Sequence, residues 1–188
     1  MRQNLNELPS DLPRPIDDGL TNHLKGHKIP NIKLESTKNV QVDLWEAFQN
    51  PTVLFIFPRA GSPLESNSNP ELWDSIPGAR GCTPQSCGFR DLIQDFDFLK
   101  VKVYGLSVQP PIVQNEFAQR IHISFPLLSD YQHLLTDLLK LPTFEFDGSR
   151  LIKRMALFIK EGEIKKVFYP VFPPNKNAEE VLAWLKNQ

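Results

Sequence analysis

Cys82 and Cys87 are the two cysteines of the chain, five positions apart in Gly81-Cys82-Thr83-Pro84-Gln85-Ser86-Cys87. Thr83 suits a helix N-cap, and Pro84 suits the first helical position, where the amide that proline lacks would be unpaired anyway. Phe89, Leu92, Ile93 and Phe96 then recur at helical spacing. The pattern predicts a helix opening just after Cys82. Unpaired amides and the positive end of the helix dipole at that point favour a thiolate over a thiol. A thiolate at neutral pH is a nucleophile, so the segment points to thiol chemistry.

Several readings compete for this pair. A zinc site needs four ligands as a rule, and the histidines (His23, His27, His122 and His133) are scattered without ligand spacing. No metal and no cofactor is expected. A permanent disulfide meets a geometric obstacle. In an intact helix, Cα atoms five positions apart are about 8–9 Å from one another, whereas a disulfide wants less than about 7 Å. Such a bond forms only if the first turn unwinds, which suits a transient link better than a staple. The pair also lacks the C-x-x-C spacing of a simple dithiol reductase. Two unrelated buried thiols remain the bland alternative, since free cysteine is common in cores.

The chain of 188 residues is long enough for one domain with a sizeable core. Its net charge of -1 gives no reason to expect nucleic acid or a membrane surface as partner. The start, Met1-Arg2-Gln3-Asn4-Leu5-Asn6-Glu7, is polar and unlike a signal peptide. A cytoplasmic location is expected, and in a reducing cytosol a close cysteine pair favours catalysis or metal binding over a structural role.

The elements that must position the thiols are legible in outline. Several of the 17 prolines cluster in an N-terminal lead over residues 1–30, where Leu20 and Leu24 fit one helical turn ending near Gly26. From residue 31 to 188 the pattern is that of a domain. Ile32-Lys33-Leu34 and Val40-Gln41-Val42 alternate as a β-hairpin does, and a short helix around Leu44 to Phe48 follows. Thr52 to Pro58 is a nearly continuous apolar run, the mark of a strand buried on both faces. Residues 59–81, rich in Pro, Ser, Asn and Gly, have no apolar period and read as a long inserted loop leading to Cys82. Its Trp73 either covers a pocket or pins the loop to the core.

A second buried strand spans Val101 to Val108. A helix from about Val113 to Arg120 follows, then a short strand and turn at Phe125 to Asp130. Leu134, Leu135, Leu138 and Leu139 mark a helix with one apolar stripe. Met155 to Lys160 and Ile164 to Tyr169 read as strands joined by Glu161-Gly162-Glu163. A capped amphipathic helix from Asn177 to Leu185 ends the chain. Two parallel crossovers, an antiparallel pair and a last helix predict a thioredoxin-like α/β sandwich. Its central mixed sheet is flanked by helices, with the N-terminal β-hairpin as an extension.

The sequence resembles a peroxiredoxin of the bacterioferritin-comigratory, PrxQ-like type. The matching residues are Val53 to Pro58, Gly81-Cys82-Thr83-Pro84-Gln85-Ser86-Cys87-Gly88-Phe89-Arg90-Asp91, Val103 to Val108, Phe125 to Asp130 and Arg154 to Ile159. The resemblance runs from about Ile32 to the C-terminus. It implies that Cys82 is the peroxidatic cysteine, oxidised by a hydroperoxide to a sulfenic acid. It implies that Cys87 resolves this acid as a disulfide, reduced in turn by thioredoxin or a similar dithiol. Arg154 matches the family's active-site arginine and Pro58 the proline that shields the cysteine.

One position departs from the family pattern. Ala79 stands where the family carries a Thr or Ser, so Ser62, or the backbone amides of Gly81 and Cys82, are expected to contact the peroxide instead. The assembly expected is a monomer or homodimer. A redox sensor or thiol-switch binding module on the same fold is the alternative function, and a fold carrying inert cysteines is a third.

Overall fold

The computed structural model describes residues 8–65 and 69–188. The polar start at residues 1–7, and residues 66–68 of the insertion, lie outside the described residues. The centre is a seven-stranded sheet in the order β2-β1-β5-β4-β3-β8-β9. The strands are β1 (Lys33–Ser36), β2 (Gln41–Asp43), β3 (Thr52–Ile56), β4 (Lys102–Ser107), β5 (Leu127–Ser129), β8 (Met155–Lys160) and β9 (Glu163–Phe168). β3, β4 and β5 run parallel, while β8 is antiparallel to β3 and β9 to β8. The early hairpin belongs to this sheet, because β1 also pairs antiparallel with β5.

β3 is buried at every position. Its odd positions, Val53 and Phe55, enter one core cluster with Phe89, Phe117 and Val181. Leu54 and Ile56 enter a second cluster on the opposite face with Leu44, Leu106, Leu135 and Leu157. A central strand with period-2 side chains and helices on both faces must be apolar throughout, which explains the continuous run.

The helices are α1 (Leu44–Ala47), α2 (Pro70–Ser75), α3 (Cys82–Asp91), α4 (Ile93–Phe98), α5 (Pro111–Arg120), α6 (Leu134–Leu138) and α7 (Asn177–Leu185). Several differ from the sequence expectations. The stretch from Cys82 to Phe98 is not one helix: it breaks at Leu92 into α3 and α4. The insertion is not all loop. Asn69 accepts a hydrogen bond from the Leu72 N–H at 3.0 Å, and Pro70 starts α2 behind it. The α6 leucines divide, with Leu135 and Leu139 buried but Leu134 and Leu138 exposed. α7 has no side-chain cap; Asn177 is fully buried and bonds elsewhere.

A second hairpin, β6 (Thr143–Phe146) with β7 (Ser149–Ile152), went unread in the sequence. Its turn is Asp147-Gly148 with positive φ at both residues, the strongest short-range hairpin signal. Trp73 of α2 packs on this hairpin, its ring centroid 4.9 Å from that of Phe146. It pins the insertion to the body of the protein.

The lead also lies on the domain. The Gly26 and Ile29 amides bond to the carbonyls of Ile164 and Gly162 beside β9. Asp18 pairs with Lys153 at 2.6 Å, and Arg14 sits over the Phe172 ring at 5.1 Å.

Candidate active site

β3 and β8 pair in a register that sets Ile56 opposite Met155. Arg154, just before Met155, therefore stands beyond the carboxyl end of β3, the end where open α/β sheets place their sites. Pro58 is buried two residues past the same end. The insertion then returns the chain to start α3 at Cys82.

Cys82 is the first residue of α3, with 4% of its surface exposed. The helix thus begins two residues earlier than the sequence pattern predicts. Thr83 is a buried first-turn residue rather than the N-cap, and Pro84 sits third, where its missing amide still costs no intrahelical bond. The N-cap is Gly81 at φ +109°, and it makes no side-chain cap. A Cβ there would lie 2.6 Å from Pro174 Cγ and 2.9 Å from Pro174 Cβ. Glycine is required for its backbone conformation and for the close approach of the chain before α7.

Among the described residues, the Cys82 sulfur has two polar neighbours. Arg154 Nη2 donates to Sγ at 3.3 Å, and the thiol is directed at the Ala79 carbonyl at 3.7 Å. Arg154 is itself 3% exposed. Its Nε donates to the Gly78 carbonyl at 3.1 Å, and its Nη2 to the carbonyls of Ala79 at 2.9 Å and Arg80 at 3.2 Å. Nη1 donates to Gln85 Oε1. A guanidinium has five N–H donors and no acceptor, and these partners cage it on the face nearest the sulfur. Among these described partners, all but the sulfur are neutral oxygens. The guanidinium is thus a buried cation within hydrogen-bond distance of the sulfur, placed to meet negative charge that develops there.

Gln85 and Asn177 were not singled out from the sequence. Gln85 is fully buried, and its Nε2 donates to Asn177 Oδ1 at 2.9 Å. The pair links α7 through Gln85 to the guanidinium. Position 85 is three residues after Cys82, on the same helix face, which is a usable signal. The local sequence marks Asn177 only as a helix cap, a role it does not take.

Ser62 does not join this constellation. Its hydroxyl donates to Glu116 Oε2 at 2.9 Å on α5, and the hydrogen bond from Arg120 holds the Glu116 carboxyl below its usual range. Expected as a replacement for the hydroxyl missing at Ala79, Ser62 is tied to the Glu116–Arg120 ion pair on α5. Ala79 is fully buried in a small cluster with Trp73, Phe146 and Leu151.

Cys87 lies half-buried on α3, and both cysteines are free thiols. Burial pushes the Cys87 thiol above its ordinary value, with nearby Arg90 lowering it and Asp91 raising it. Arg90 pairs with Asp91 at 2.7 Å and donates to the Ile121 carbonyl at 2.7 Å. It fastens α3 to the end of α5 and does not reach the sulfur of Cys82.

A family model described as Redoxin matches residues 24–182. This chain belongs to the Redoxin family. Peroxiredoxins are thiol peroxidases that act on peroxides and are recycled by thioredoxin-type reductants. Peroxiredoxin Bcp of Escherichia coli K12 is 30% identical over 174 residues, covering 88% of this chain and 97% of that protein. The chloroplastic peroxiredoxin Q of Gentiana triflora is 25% identical over 163 residues, covering 87% of this chain and 67% of that one. Among solved structures, BcpB from Mycobacterium tuberculosis, called a peroxidoxin, superposes with a TM-score of 0.70 at 25% identity, covering 88% of this chain and 98% of that one. A Xanthomonas campestris bacterioferritin comigratory protein, studied for alkyl peroxide reduction, shares the fold at TM-score 0.66 and 21% identity, covering 83% and 90%. The thioredoxin-like sandwich of this peroxiredoxin agrees with these folds. Among its described residues, no helix is long and apolar enough to cross a membrane.

Proposed function

We propose that Cys82 is the peroxidatic cysteine, Cys87 the resolving cysteine, and Arg154 the group that stabilises charge on the reacting atoms. The observation carrying this reading is the 3.3 Å hydrogen bond from Arg154 Nη2 to Cys82 Sγ at the first residue of α3. In the first step the Cys82 thiolate attacks one peroxide oxygen. An S–O bond forms and the O–O bond breaks, so sulfur loses two electrons to the peroxide. The leaving oxygen takes a proton and departs as water or an alcohol. The guanidinium and the first-turn amides, those of Gly81 and Cys82 included, face the charge that develops on oxygen. Pro58 shields the sulfur from bulk water.

Cys87 then attacks the sulfenic sulfur, releasing water and leaving a disulfide. The two residues sit about 140° apart around α3, from the 3.6-residue turn. The first turn must therefore open, breaking the bond from the Gln85 amide to the Gly81 carbonyl. Thioredoxin or a similar dithiol restores both thiols by exchange. Hydrogen peroxide and alkyl hydroperoxides are the substrates in this reading, and the enzyme works in the cytoplasm as a monomer or homodimer.

Peroxide consumption coupled to thioredoxin tests it. Cys82→Ser abolishes turnover. Cys87→Ser abolishes thioredoxin-driven turnover but leaves one oxidation per chain, seen by mass as a gain of one oxygen. The wild type loses two hydrogens after one equivalent of peroxide. Retained turnover in Cys82→Ser refutes the assignment.

A further inference from the structure

The lead passes beside the guanidinium and builds a cavity of about 270 Å³ there, with Pro15, Ile16, Ile76, Phe144 and Val171 among its walls. Arg154 also lines it, so the cavity and the Cys82 sulfur share one residue as boundary. We propose that this cavity takes the hydrocarbon part of an organic hydroperoxide, and that Ile16 and Asp18 make the lead a specificity element of the enzyme.

The cavity volume equals about nine waters at ~30 Å³ each, far more than hydrogen peroxide fills. Its walls are mostly apolar, and prolines from both the lead and the chain after β9 stiffen it. Ile16 is 80% exposed at its edge, a large apolar side chain left uncovered where a tail would lie. The polar groups in the lining are largely paired with one another. Asp18 accepts from Lys153 Nζ at 2.6 Å and from the Tyr169 hydroxyl at 2.9 Å. Burial alone would raise the Asp18 carboxyl, yet the bonds from Lys153, the Leu20 amide and Tyr169, with the lysine charge, hold it below its ordinary value. A charged or sugar-like ligand thus finds its polar partners already engaged, while an alkyl or aryl tail meets apolar wall. Pro15, Ile16 and Asp18 precede the family match, which begins at residue 24. These three walls therefore come from outside the matched domain, and the rest from within it.

The inference rests on the peroxidase reading for its chemistry: the peroxide oxygen goes to Cys82 and the tail leaves as the alcohol. The test uses the full chain and cumene hydroperoxide, with hydrogen peroxide as reference. The ratio of the two kcat/KM values is expected to fall about tenfold in Ile16→Asp, the loss of one apolar contact of roughly a methylene or two. It falls about threefold in Asp18→Asn, which loosens the latch. Ile112→Asp, at another highly exposed isoleucine, on α5, leaves the ratio as it is. Cumyl alcohol, which cannot react, is the independent probe. It binds wild type by NMR titration with chemical shift changes at Ile76 and Phe144, and more weakly to Ile16→Asp. Ratios within twofold of wild type in both lead variants overturn the proposal, as does the absence of alcohol binding. If neither peroxide is turned over while the alcohol still binds in an Ile16-dependent way, the peroxidase reading fails and the cavity assignment stands.

Discussion

Replacing Gly81 by alanine tests the hinge on which the Cys82 helix starts. At φ +109° the residue lies outside even the small left-handed region that L-residues visit, which costs about 1–3 kcal/mol. The new Cβ would also stand 2.6 Å from Pro174 Cγ and 3.1 Å from Leu8 Cδ2. A proline ring cannot swing aside as a long side chain does, so the overlap adds about 1–3 kcal/mol. The smaller conformational freedom of alanine in the unfolded chain returns only about 0.4–1 kcal/mol. Strain therefore wins by about 3 kcal/mol at the centre of these ranges. For a protein of this length, each kcal/mol lowers Tm by about 2–4 °C, so the midpoint drops by about 6–12 °C. Because the clash is relieved by moving Cys82 or the segment at Pro174, the rate of Cys82 oxidation falls as well. Differential scanning calorimetry and stopped-flow tryptophan fluorescence after a peroxide pulse measure the two effects. A Gly81→Ala protein melting within 2 °C of wild type, with an unchanged oxidation rate, refutes the argument.

Three further outcomes follow from the same geometry. Arg154→Lys keeps a charge but has three donors for a cage built on five, and it is expected to lower the rate of Cys82 oxidation about 10²-fold; a loss under threefold in single-turnover kinetics contradicts the cage. Trp73→Ala removes the ring lodged on Phe146 and is expected to cost about 3 kcal/mol. The loss should appear mainly as faster proteolysis within residues 59–81, and unchanged proteolysis counts against the pinning role. The burial that raises the Cys87 thiol predicts a pH effect. Below the ordinary thiol value the neutral form is retained at no cost to the fold. As pH rises through the elevated folded value, that stabilisation of α3 is lost while the attacking thiolate gains population. Disulfide formation after a peroxide pulse should therefore accelerate from pH 7 to beyond pH 9, and a flat profile rules this out.

The chemistry was legible where it depended on neighbours in the chain. The two thiols, their spacing and the helix after them gave both a nucleophile and the need to unwind. Glu161-Gly162 marked one hairpin, and Asp147-Gly148 carried the same signal for another that went unread. The start of α3 lies two residues ahead of the one that Thr83 and Pro84 suggest. Thr83 and Pro84 have good N-terminal propensities, but Gly81 held against Pro174 decides where the chain turns, and Pro174 is remote in sequence. Ser62 was a fair candidate as a hydroxyl on the insertion. Its bond to Glu116 depends on how the insertion lies across α5, which no local pattern encodes.

From the residues alone, Arg154 was an arginine near a strand start, equally suited to a surface ion pair. Resemblance to a family promoted it; the pairing of Ile56 with Met155 explains it. A slip of one residue in that register turns alternate side chains to the opposite face and would carry the guanidinium away from the sulfur. The same holds for Gln85 with Asn177, and for Asp18 with Lys153 and Tyr169: each bond joins segments distant in sequence. Sequence by itself marked the two thiols and the spacing that holds them apart on an intact helix, because spacing along a helix is a local property. Tertiary structure alone decided what surrounds the sulfur and what covers the arginine, because those contacts exist only once strand register and the path of the lead are set.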